Sequence, residues 1–331
     1  MKNKYDVIVI GSATKDVFLN IENLKPTMAE EFPTGQALCF GLGSKVAIDK
    51  MTFTSGGGGT NVAVSFARQG LRTACIGAIG EDFNGKELIE EMHKEDVNSE
   101  YFQKHDDDHT AYSVILVSNG GERTILSYKG EGQHLDVNKI PFDSMAGTWL
   151  SLGSLGGHLD LFEKSIEWAV ANNVKIIANP GTKELTHGLD KIKSLLSRCH
   201  IVSLNQEEAA TLTGIPYNEE ERLFKYTDEI IDGIFVMTKG SSGVSVSDGK
   251  NIYSAGIPLS PVIERTGAGD AFFSGFSAEI MRSNDIVKAI QLGTANATSV
   301  VQHYGGKEGI LKRDDLGKYP LVEVIIKPII K

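Results

Sequence analysis

The sequence predicts an α/β fold: a mostly parallel central sheet flanked by helices on both faces, with a small β-sheet lid. Short apolar runs that end in Gly, Asn or Asp recur along the chain, and apolar repeats of helical spacing lie between them. Two further stretches break this alternation with extended, turn-rich sequence. A chain of 331 residues is long enough for one large α/β core with an appendage.

The apolar runs predict buried strands, because strands that are covered on both faces are continuously apolar. They span residues 5–11, 73–80, 174–181, 200–205 and 233–240. The helical patterns span residues 61–69, 85–94, 160–172, 187–198, 206–213, 270–282 and 285–303. In parallel sheets ligands bind beyond the carboxyl ends of the strands, which is where the polar residues that end these runs lie.

Residues 12–55 and 110–129 are predicted to form the lid. The second stretch contains the alternating segments TAYSVILVS and RTILSYK around Asn119-Gly120-Gly121, a pattern typical of a hairpin. The remaining residues, 1–11, 56–109 and 130–331, are predicted to form the α/β domain that carries the active site. No repeat or Pro-rich linker separates the two parts, so we expect the lid to fold with the main body.

The composition excludes several partners. Lys and Arg total 33 against 43 for Asp and Glu, a formal net charge of −10, so we expect no nucleic acid and no anionic membrane surface as a partner. No apolar stretch approaches the roughly 18 residues that span a bilayer.

The three cysteines, Cys39, Cys75 and Cys199, are far apart and odd in number, which favours free thiols and a cytoplasmic location.

Residues 264–275, ERTGAGDAFFSG, predict a phosphate site. Gly267, Ala268 and Gly269 precede Asp270 and an apolar helical pattern, so free backbone N–H groups and the helix dipole favour an anion there. A carboxylate beside a phosphate is repulsive unless it accepts a proton, so Asp270 is the candidate general base. An ordinary glycine-rich helix entry is an equally good interpretation of this segment alone. Neither a Walker sequence nor GxGxxG occurs elsewhere in the chain.

Three segments, in the same order along the chain, resemble the ribokinase-like, or PfkB, carbohydrate kinases. TGAGDAF resembles the C-terminal signature, and GGGGTN at residues 56–61, followed by AVSFARQGLRTACIGAIGEDFNG, resembles the N-terminal one. GSATKD at residues 11–16 resembles the opening strand with its substrate-binding Asp. The resemblance covers nearly the whole chain. It implies a cytoplasmic, ATP- and Mg²⁺-dependent kinase that phosphorylates a hydroxyl of a sugar-like molecule, with the exocyclic CH2OH as the expected acceptor.

The resemblance also implies roles for acceptor-binding residues. Asp16 matches the residue that accepts hydrogen bonds from sugar hydroxyls; a loop Asp that caps a turn is the alternative. Gly57, Gly58 and Asn61 match the segment where backbone and an Asn side chain approach the sugar. A flexible glycine loop with Asn61 as the N-cap of the next helix is the alternative there.

On the donor side, Asn205 and Glu208 match the element that organises Mg²⁺ and its waters, although the same spacing is typical of helix capping. The donor nucleotide is expected to contact residues in or near two further segments. They are Thr238, Gly240 and Gly243 in TKGSSG, for which a hairpin turn is the alternative, and Asn296, which matches a residue bordering adenine.

Two departures from the family pattern limit what the resemblance implies. Glu264 and Arg265 stand where Asp-Thr is usual, so the monovalent-cation site that uses the first acidic position is left open. The glycine run of residues 56–59 lacks the Lys of true ribokinases, so ribose specificity does not follow. In the family such lids often pair between subunits, which implies a homodimer.

Three alternatives remain open. A nucleoside kinase of the same superfamily would need a stacking pocket in the lid, for which the candidates are Phe18, Phe40, Phe53, Tyr112 and Tyr128. A phosphorylated sugar could be clamped by Arg123, Lys129 and Arg265. A sugar or nucleotide sensor without catalysis is the alternative from another class, which the Asp270 segment disfavours.

Overall fold

The structure, a computed structural model, describes residues 4–21, 26–32, 35–117, 123–130, 134–186, 189–315 and 319–329. Its strands are β1 (Tyr5–Ile10), β2 (Thr14–Asn20), β3 (Thr27–Met28), β4 (Gln36–Ala37), β5 (Lys50–Gly56), β6 (Thr73–Ile76), β7 (Ala78–Gly80), β8 (Val97–Asn98), β9 (Gln103–His105), β10 (Tyr112–Val117), β11 (Arg123–Tyr128), β12 (Gly147–Leu152), β13 (Lys175–Ala178), β14 (Ile201–Asn205), β15 (Ile234–Thr238), β16 (Val244–Ser247), β17 (Asn251–Ala255) and β18 (Ile325–Pro328). Its α-helices are α1 (Gly58–Arg68), α2 (Phe83–Lys94), α3 (Leu159–Ala171), α4 (Thr182–Thr186), α5 (Leu189–Leu196), α6 (Gln206–Thr213), α7 (Glu220–Asp228), α8 (Ala268–Ser283) and α9 (Ile286–Val300).

Ten strands form the central sheet, in the order β18-β17-β16-β15-β14-β13-β12-β1-β6-β8. The strands from β8 to β15 run parallel, and β16, β17 and β18 continue the sheet antiparallel. Within β1, Ile8 and Ile10 pack into one apolar cluster while Val7 and Val9 pack into another. Because successive side chains point to opposite faces, the sheet is covered on both sides, which confirms the predicted fold class.

The chain order of the sheet reverses at β1, which has β6 on one side and β12 on the other. In open α/β sheets the crevice at such a switch point is where ligands bind. Helix α1 begins directly above it: a Cβ added at Gly59 would lie 2.5 Å from the carbonyl carbon of Gly11, which follows β1. The two glycines therefore let the start of α1 rest on the end of the central strand.

The lid is a four-stranded sheet in the order β11-β10-β2-β5, built from the two segments that interrupt the α/β alternation. Asp16 pairs with Thr54 on one side and Ser113 on the other, so these three side chains share one face, here called the inner face. Phe18 lies on the same face and packs against Tyr304 of the main body. The predicted turn Asn119-Gly120-Gly121 lies outside the described residues.

Several element boundaries differ from the predicted ones. The predicted strand 73–80 divides at Gly77, where the ring of Phe102 comes within 2.8 Å of an added Cβ. The predicted helix 187–198 is described from Leu189 to Leu196, and residues 187 and 188 lie outside the described part. Across the described ranges no helix combines the length and apolarity needed to cross a membrane.

Candidate active site

Asp270 lies in the first turn of α8, at the carboxyl edge of the sheet. Gly267 is the N-cap with a φ of 77°, and a Cβ there would lie 2.5 Å from the Cα of Gly306, so only glycine fits. The Ala268 N–H donates to the Arg265 carbonyl over 3.3 Å. Among the described residues the N–H groups of Gly269 and Asp270 have no acceptor, as is usual in a first helical turn. The turn therefore presents free donors beside a carboxylate.

Asn61 of α1 fixes the Asp270 carboxylate. Its Nδ2 donates to Asp270 Oδ2 over 2.9 Å, and a Cβ added at Gly58 would lie 3.4 Å from Oδ1. Burial raises the pKa of Asp270, while the Asn61 hydrogen bond and the Lys307 ammonium act in the opposite direction. The result is a carboxylate that binds a proton more readily than a solvated one.

The alternative role of Asn61 as a helix cap is wrong, because the N-cap of α1 is Gly57, at a φ of 95°. A Cβ on Gly57 would lie 2.5 Å from the Ser12 carbonyl oxygen, so this position also requires glycine. Asn61 itself is 3% exposed, and its Oδ1 has no hydrogen-bond partner within the described part of the chain. An unpaired buried acceptor beside Asp270 is a place for a ligand hydroxyl.

A cavity of about 190 Å³ lies between these groups at the switch point. Its lining residues come from the ends of β1, β12 and β13 and from the starts of α1, α6 and α8, and are Val9, Ser12, Gly58, Gly59, Val62, Ser151, Gly153, Ser154, Asn179, Pro180, Gly181, Glu208, Asp270 and Phe273. Asp270 and Glu208 thus share one cavity, and Gly58 forms part of its wall.

Asp16 is on the inner face of the lid, and its carboxylate lies against Gly56, two residues before Gly58 in the cavity wall. It is 5% exposed, it hydrogen-bonds with the Ser113 side chain, and any side chain at Gly56 would collide with its carboxylate. Burial raises the pKa of Asp16, and the Ser113 hydrogen bond and the Lys307 ammonium oppose that rise. A buried carboxylate with one hydroxyl partner retains acceptor capacity for substrate hydroxyls.

Asn205 and Glu208 form a reciprocal capping box at the start of α6. The Glu208 N–H donates to Asn205 Oδ1 and the Asn205 N–H donates to Glu208 Oε2, both over 2.8 Å, so the capping alternative is confirmed. Burial raises the pKa of Glu208, the Asn205 N–H opposes the rise and the Asp270 carboxylate adds to it. In the described residues no group of three or more His, Cys, Asp or Glu side chains could hold a metal.

The TKGSSG turn follows β15, the strand adjacent to β14, which leads into α6. Thr238 ends β15 and pairs with Asn205, and the Lys239 N–H donates to the Gly243 carbonyl over 2.8 Å. Thr238 pairs with Val244 across antiparallel β15 and β16, so the segment is a hairpin turn, as the alternative predicts, and Gly243 ends it at a φ of 87°. Gly240 opens the short 3-10 helix of this turn.

A second, larger cavity of about 570 Å³ lies next to this turn. Lys239, Ser242 and Val244 line one side, and residues 320–323 of the C-terminal segment form the opposite wall. That segment is anchored by the Gln291 Nε2 bond to the Val322 carbonyl, over 3.1 Å, and by the pairing of β18 with β17.

Asn296 is not at either cavity. It is fully buried in α9, its Nδ2 donates to the Ala271 carbonyl over 2.8 Å, and its Oδ1 accepts the Leu311 N–H over 2.9 Å. These bonds join α8, α9 and the following loop. The predicted contact with adenine therefore does not fit this position, since the amide is used inside the core.

Two charged residues near the site have contacts that the sequence patterns do not predict. Lys307 is 4% exposed, donates to Ser55 Oγ over 2.6 Å and lies close enough to Asp16 and Asp270 to lower the pKa of both. The preceding Gly305-Gly306 pair was the available signal, because consecutive glycines often mark a close backbone approach. Arg123, considered only as a clamp for a substrate phosphate, instead binds Glu264.

Comparison with known proteins shows the protein family. The model of the pfkB family carbohydrate kinases matches residues 7–313. Ribokinase of Haemophilus influenzae is 29% identical over 267 residues, which is 78% of this chain and 85% of that protein. The structure of Arabidopsis thaliana ribokinase complexed with ribose and ATP superposes with a TM-score of 0.75 at 20% identity, covering 96% of this chain and 98% of that one. Adenosine kinase from Sinorhizobium meliloti superposes with a TM-score of 0.76 at 20% identity, covering 95% and 99%.

The fold and the family match together define a ribokinase-like phosphotransferase. The chain belongs to the pfkB family of carbohydrate kinases. Its relatives support sugar or nucleoside kinase activity.

Proposed function

We propose that this protein transfers the γ-phosphoryl group of ATP to a hydroxyl, the exocyclic CH2OH, of a sugar or sugar-like acceptor. The observation that carries the proposal is the Asp270 carboxylate, which Asn61 holds beside the free N–H groups of the first turn of α8. The same turn thus offers a base for the acceptor and donors for the phosphoryl oxygens.

Asp270 acts as the general base. It takes the proton of the acceptor hydroxyl while that oxygen forms a bond to the γ-phosphorus, and the bond from that phosphorus to the bridging oxygen breaks, so ADP leaves with the electron pair. The pKa of Asp270 is raised by burial, which strengthens the carboxylate as a base.

The start of α8 stabilises the transferring group. Within the described ranges the N–H groups of Gly269 and Asp270 have no acceptor, and the positive end of the helix dipole lies there. Gly267 contributes by its positive φ and its close packing against Gly306, which set the start of the helix, and Ala268 contributes by its small size, which leaves room for a phosphoryl group. The Ala268 N–H, with its long bond of 3.3 Å to Arg265, is a further donor that can turn to the substrate.

Asp16 and Asn61 hold the acceptor. Asp16 retains acceptor capacity on the inner face of the lid, and Asn61 Oδ1 is buried and unpaired among the described residues. Gly58, in the wall of the smaller cavity, leaves the backbone open to a sugar ring, and Gly57, packed against the Ser12 carbonyl, fixes the start of the helix at that place.

Glu208 is the residue that fits a Mg²⁺ ion. Its carboxylate borders the cavity that contains Asp270, and only its Oε2 is used by the capping box. Mg²⁺ accepts sparse protein ligand sets completed by water and phosphate, so Glu208 together with Asn205 through water fits the ion. When bound, Mg²⁺ neutralises charge on the donor phosphates.

The larger cavity fits the nucleoside end of the donor. It lies at the same carboxyl edge as Asp270, beyond Thr238, so an extended nucleotide can reach both places. Gly240 and Gly243 let the turn between them pass close to the phosphates. The C-terminal residues 320–323 then cover the base.

The position of the lid aromatics favours a sugar over a nucleoside. Register places Phe53, Tyr112 and Tyr128 on the face opposite to Asp16, here called the outer face, so they cannot stack on a base bound at Asp16. Phe18 is on the inner face but is 2% exposed against Tyr304. Among the proposed clamps for a phosphorylated sugar, Arg123 is already paired with Glu264.

We extend the proposal to the assembly, a homodimer formed through the outer faces of two lids. A row of apolar side chains crosses all four strands there: Phe53, Val17, Val114 and Leu126. Phe53 and Leu126 are 57% and 56% exposed in one chain. Burying such a row is a driving force for pairing.

The test is an ADP-release assay with Mg²⁺ and a panel of ribose, fructose, a keto-deoxy sugar acid, fructose 6-phosphate and adenosine. The proposal expects turnover with one unphosphorylated sugar and none with adenosine. Turnover with adenosine alone would replace it by the nucleoside kinase alternative. Thermal stabilisation by a ligand without any ADP release would replace it by the sensor alternative.

A further inference from the structure

Glu264 holds the turn that leads into the anion-binding residues. Its carboxylate is 2% exposed and accepts the Thr266 N–H over 2.8 Å and the Thr266 hydroxyl over 2.7 Å. The backbone at residues 263 and 264 is held to the residue that follows α9, because the N–H groups of Ile263 and Glu264 both donate to the Val301 carbonyl. Thr266 directly precedes Gly267, so the position of Glu264 sets the position of the free donors.

A carboxylate buried this deeply is costly unless a positive charge compensates it. Within the described residues the cation in ion-pair range of Glu264 is Arg123, whose Nη1 lies 2.6 Å from Oε1. Arg123 does not belong to the main body. It is the first residue of β11, the edge strand of the lid.

The resemblance implies a monovalent cation at this acidic position, and the residues present do not fit one. Oε1 already accepts from both Arg123 and the Thr266 hydroxyl, and Oε2 accepts the Thr266 N–H. A potassium ion would need free oxygens of the Glu264 carboxylate as ligands, and the Arg123 guanidinium and Thr266 already use them.

We propose that Arg123 supplies, from the lid, the positive charge that Glu264 requires, in place of a monovalent cation. Arg123 is a positioning residue: it neutralises Glu264, and Glu264 holds the turn before α8. Because Arg123 belongs to the lid, the turn has its full support only while the lid lies against the main body, as it does in this structure. This inference rests on the proposed phosphoryl transfer for its kinetic consequence, but the charge replacement itself does not.

The kinetic test compares KCl, NaCl and tetramethylammonium chloride at equal ionic strength, with the acceptor identified by the panel. Wild-type kcat is expected to be equal within about twofold in all three salts, because the positive charge belongs to the Arg123 side chain and does not depend on the cation in solution. Arg123→Ala is expected to lose at least about tenfold in kcat in tetramethylammonium, since the donors of the turn lose their position. Potassium should restore a large part of that loss, and Arg123→Lys should retain activity without it.

Two variants control the result. In the double variant Arg123→Ala/Glu264→Gln no uncompensated charge remains at position 264, so the response to potassium should disappear. Arg72→Ala removes a guanidinium–carboxylate pair of the same 2.6 Å length, to Asp6, at the opposite edge of the sheet, and should behave as the wild type in every salt.

Melting temperatures in the same salts give a readout that needs no acceptor. Arg123→Ala should gain stability in KCl over tetramethylammonium chloride, whereas the wild type and the double variant should not. A wild-type protein that requires potassium, or an Arg123→Ala variant that responds to it no more than the wild type, would overturn the inference. Failure of the whole acceptor panel would count against the proposed function and would leave the melting series to decide this question.

Discussion

At the scale of single residues, Asp16 and Asp270 are two buried carboxylates with different partners. Asp270 is fixed by an amide donor at the edge of a cavity, whereas Asp16 has a hydroxyl partner on the lid. A base needs a fixed orientation toward one proton, and a sugar ligand needs free lone pairs for several hydroxyls. The fixed orientation of Asp270 therefore suits a general base, and the free lone pairs of Asp16 suit a ligand of the acceptor.

Asp16→Ala should raise the KM of the acceptor by at least about thirtyfold, which is the loss of a charge-assisted hydrogen bond, and leave the KM of ATP within about twofold. Steady-state kinetics with each substrate varied in turn measure both. An equal rise in the two constants would remove Asp16 from the acceptor site. Asp49→Ala, which changes an exposed lid carboxylate, is the matched control.

The pH dependence tests Lys307. Activity needs Asp270 ionised, so kcat/KM should fall as the pH drops through a value above the ordinary 3.8, because burial raises the pKa of Asp270. Lys307→Met removes a charge that lowers the pKa of both Asp270 and Asp16, so the acid limb should move to higher pH. Lys288→Met, at an exposed pair with Asp285, should leave the limb in place. An unmoved limb in Lys307→Met would contradict the electrostatic role.

Sequence patterns predicted which residues lie near Asp270 because each of these residues is tied to a local motif. Gly267 and Gly57 are needed at positive φ and at close approach, so the glycine-rich segments mark the two helix starts that meet at Asp270. Lys307 and Arg123 act through contacts across more than a hundred residues of sequence, and no local pattern reports such a contact. Asn296 was misinterpreted because a buried helix Asn and a solvent-facing one have the same local sequence.

At the scale of elements, the helices α8 and α9 hold the catalytic turn. Gly275 and Gly293 lie at their crossing, where a Cβ on Gly275 would be 3.2 Å from the Cα of Gly293, so the helices approach closely. Five of the ten strands of the central sheet lie in apolar runs that predicted them, namely β1, β6, β13, β14 and β15, whereas β12, next to β1, does not. Helix α7 was not predicted, because its sequence is largely charged and only Leu223, Phe224 and Thr227 are buried.

The C-terminal segment gives a prediction for the donor. Leu321→Asp should raise the KM of ATP by about fivefold or more through loss of apolar cover over the base, with the acceptor KM within about twofold. Val170→Asp, at a similarly exposed apolar residue on the surface of α3, controls for added charge. An unchanged KM of ATP would mean that the larger cavity is not the nucleoside pocket.

At the scale of the whole molecule, the division into lid and main body could be predicted from the sequence. The lid segments have the alternating side-chain pattern of strands, whereas in the main body strands alternate with helices. The contacts between the inner face of the lid and the main body could not be predicted. The inner face of the lid meets the body through Asp16, Phe18 and Arg123, which are spread over two distant segments. The outer face carries the apolar row, and its role depends on a second molecule.

Phe53→Asp/Leu126→Asp should shift the protein from dimer to monomer, because two buried charges would face each other across the pair of lids. Size-exclusion chromatography with light scattering measures the mass, and Val170→Asp serves again as the exposed control. A monomeric wild type, or a dimeric double variant, would contradict pairing through the lids.

The general-base role of Asp270 is the central claim, and the kcat of Asp270→Asn tests it most directly. The variant keeps the amide contact to Asn61 and removes only the proton acceptor, so kcat should fall by at least about a hundredfold, the scale of general-base loss. ATP affinity should persist. The melting temperature at neutral pH should be equal or higher, because the raised pKa means that the ionised form costs stability above that pKa. A folded Asp270→Asn enzyme with kcat near the wild-type value would contradict the account.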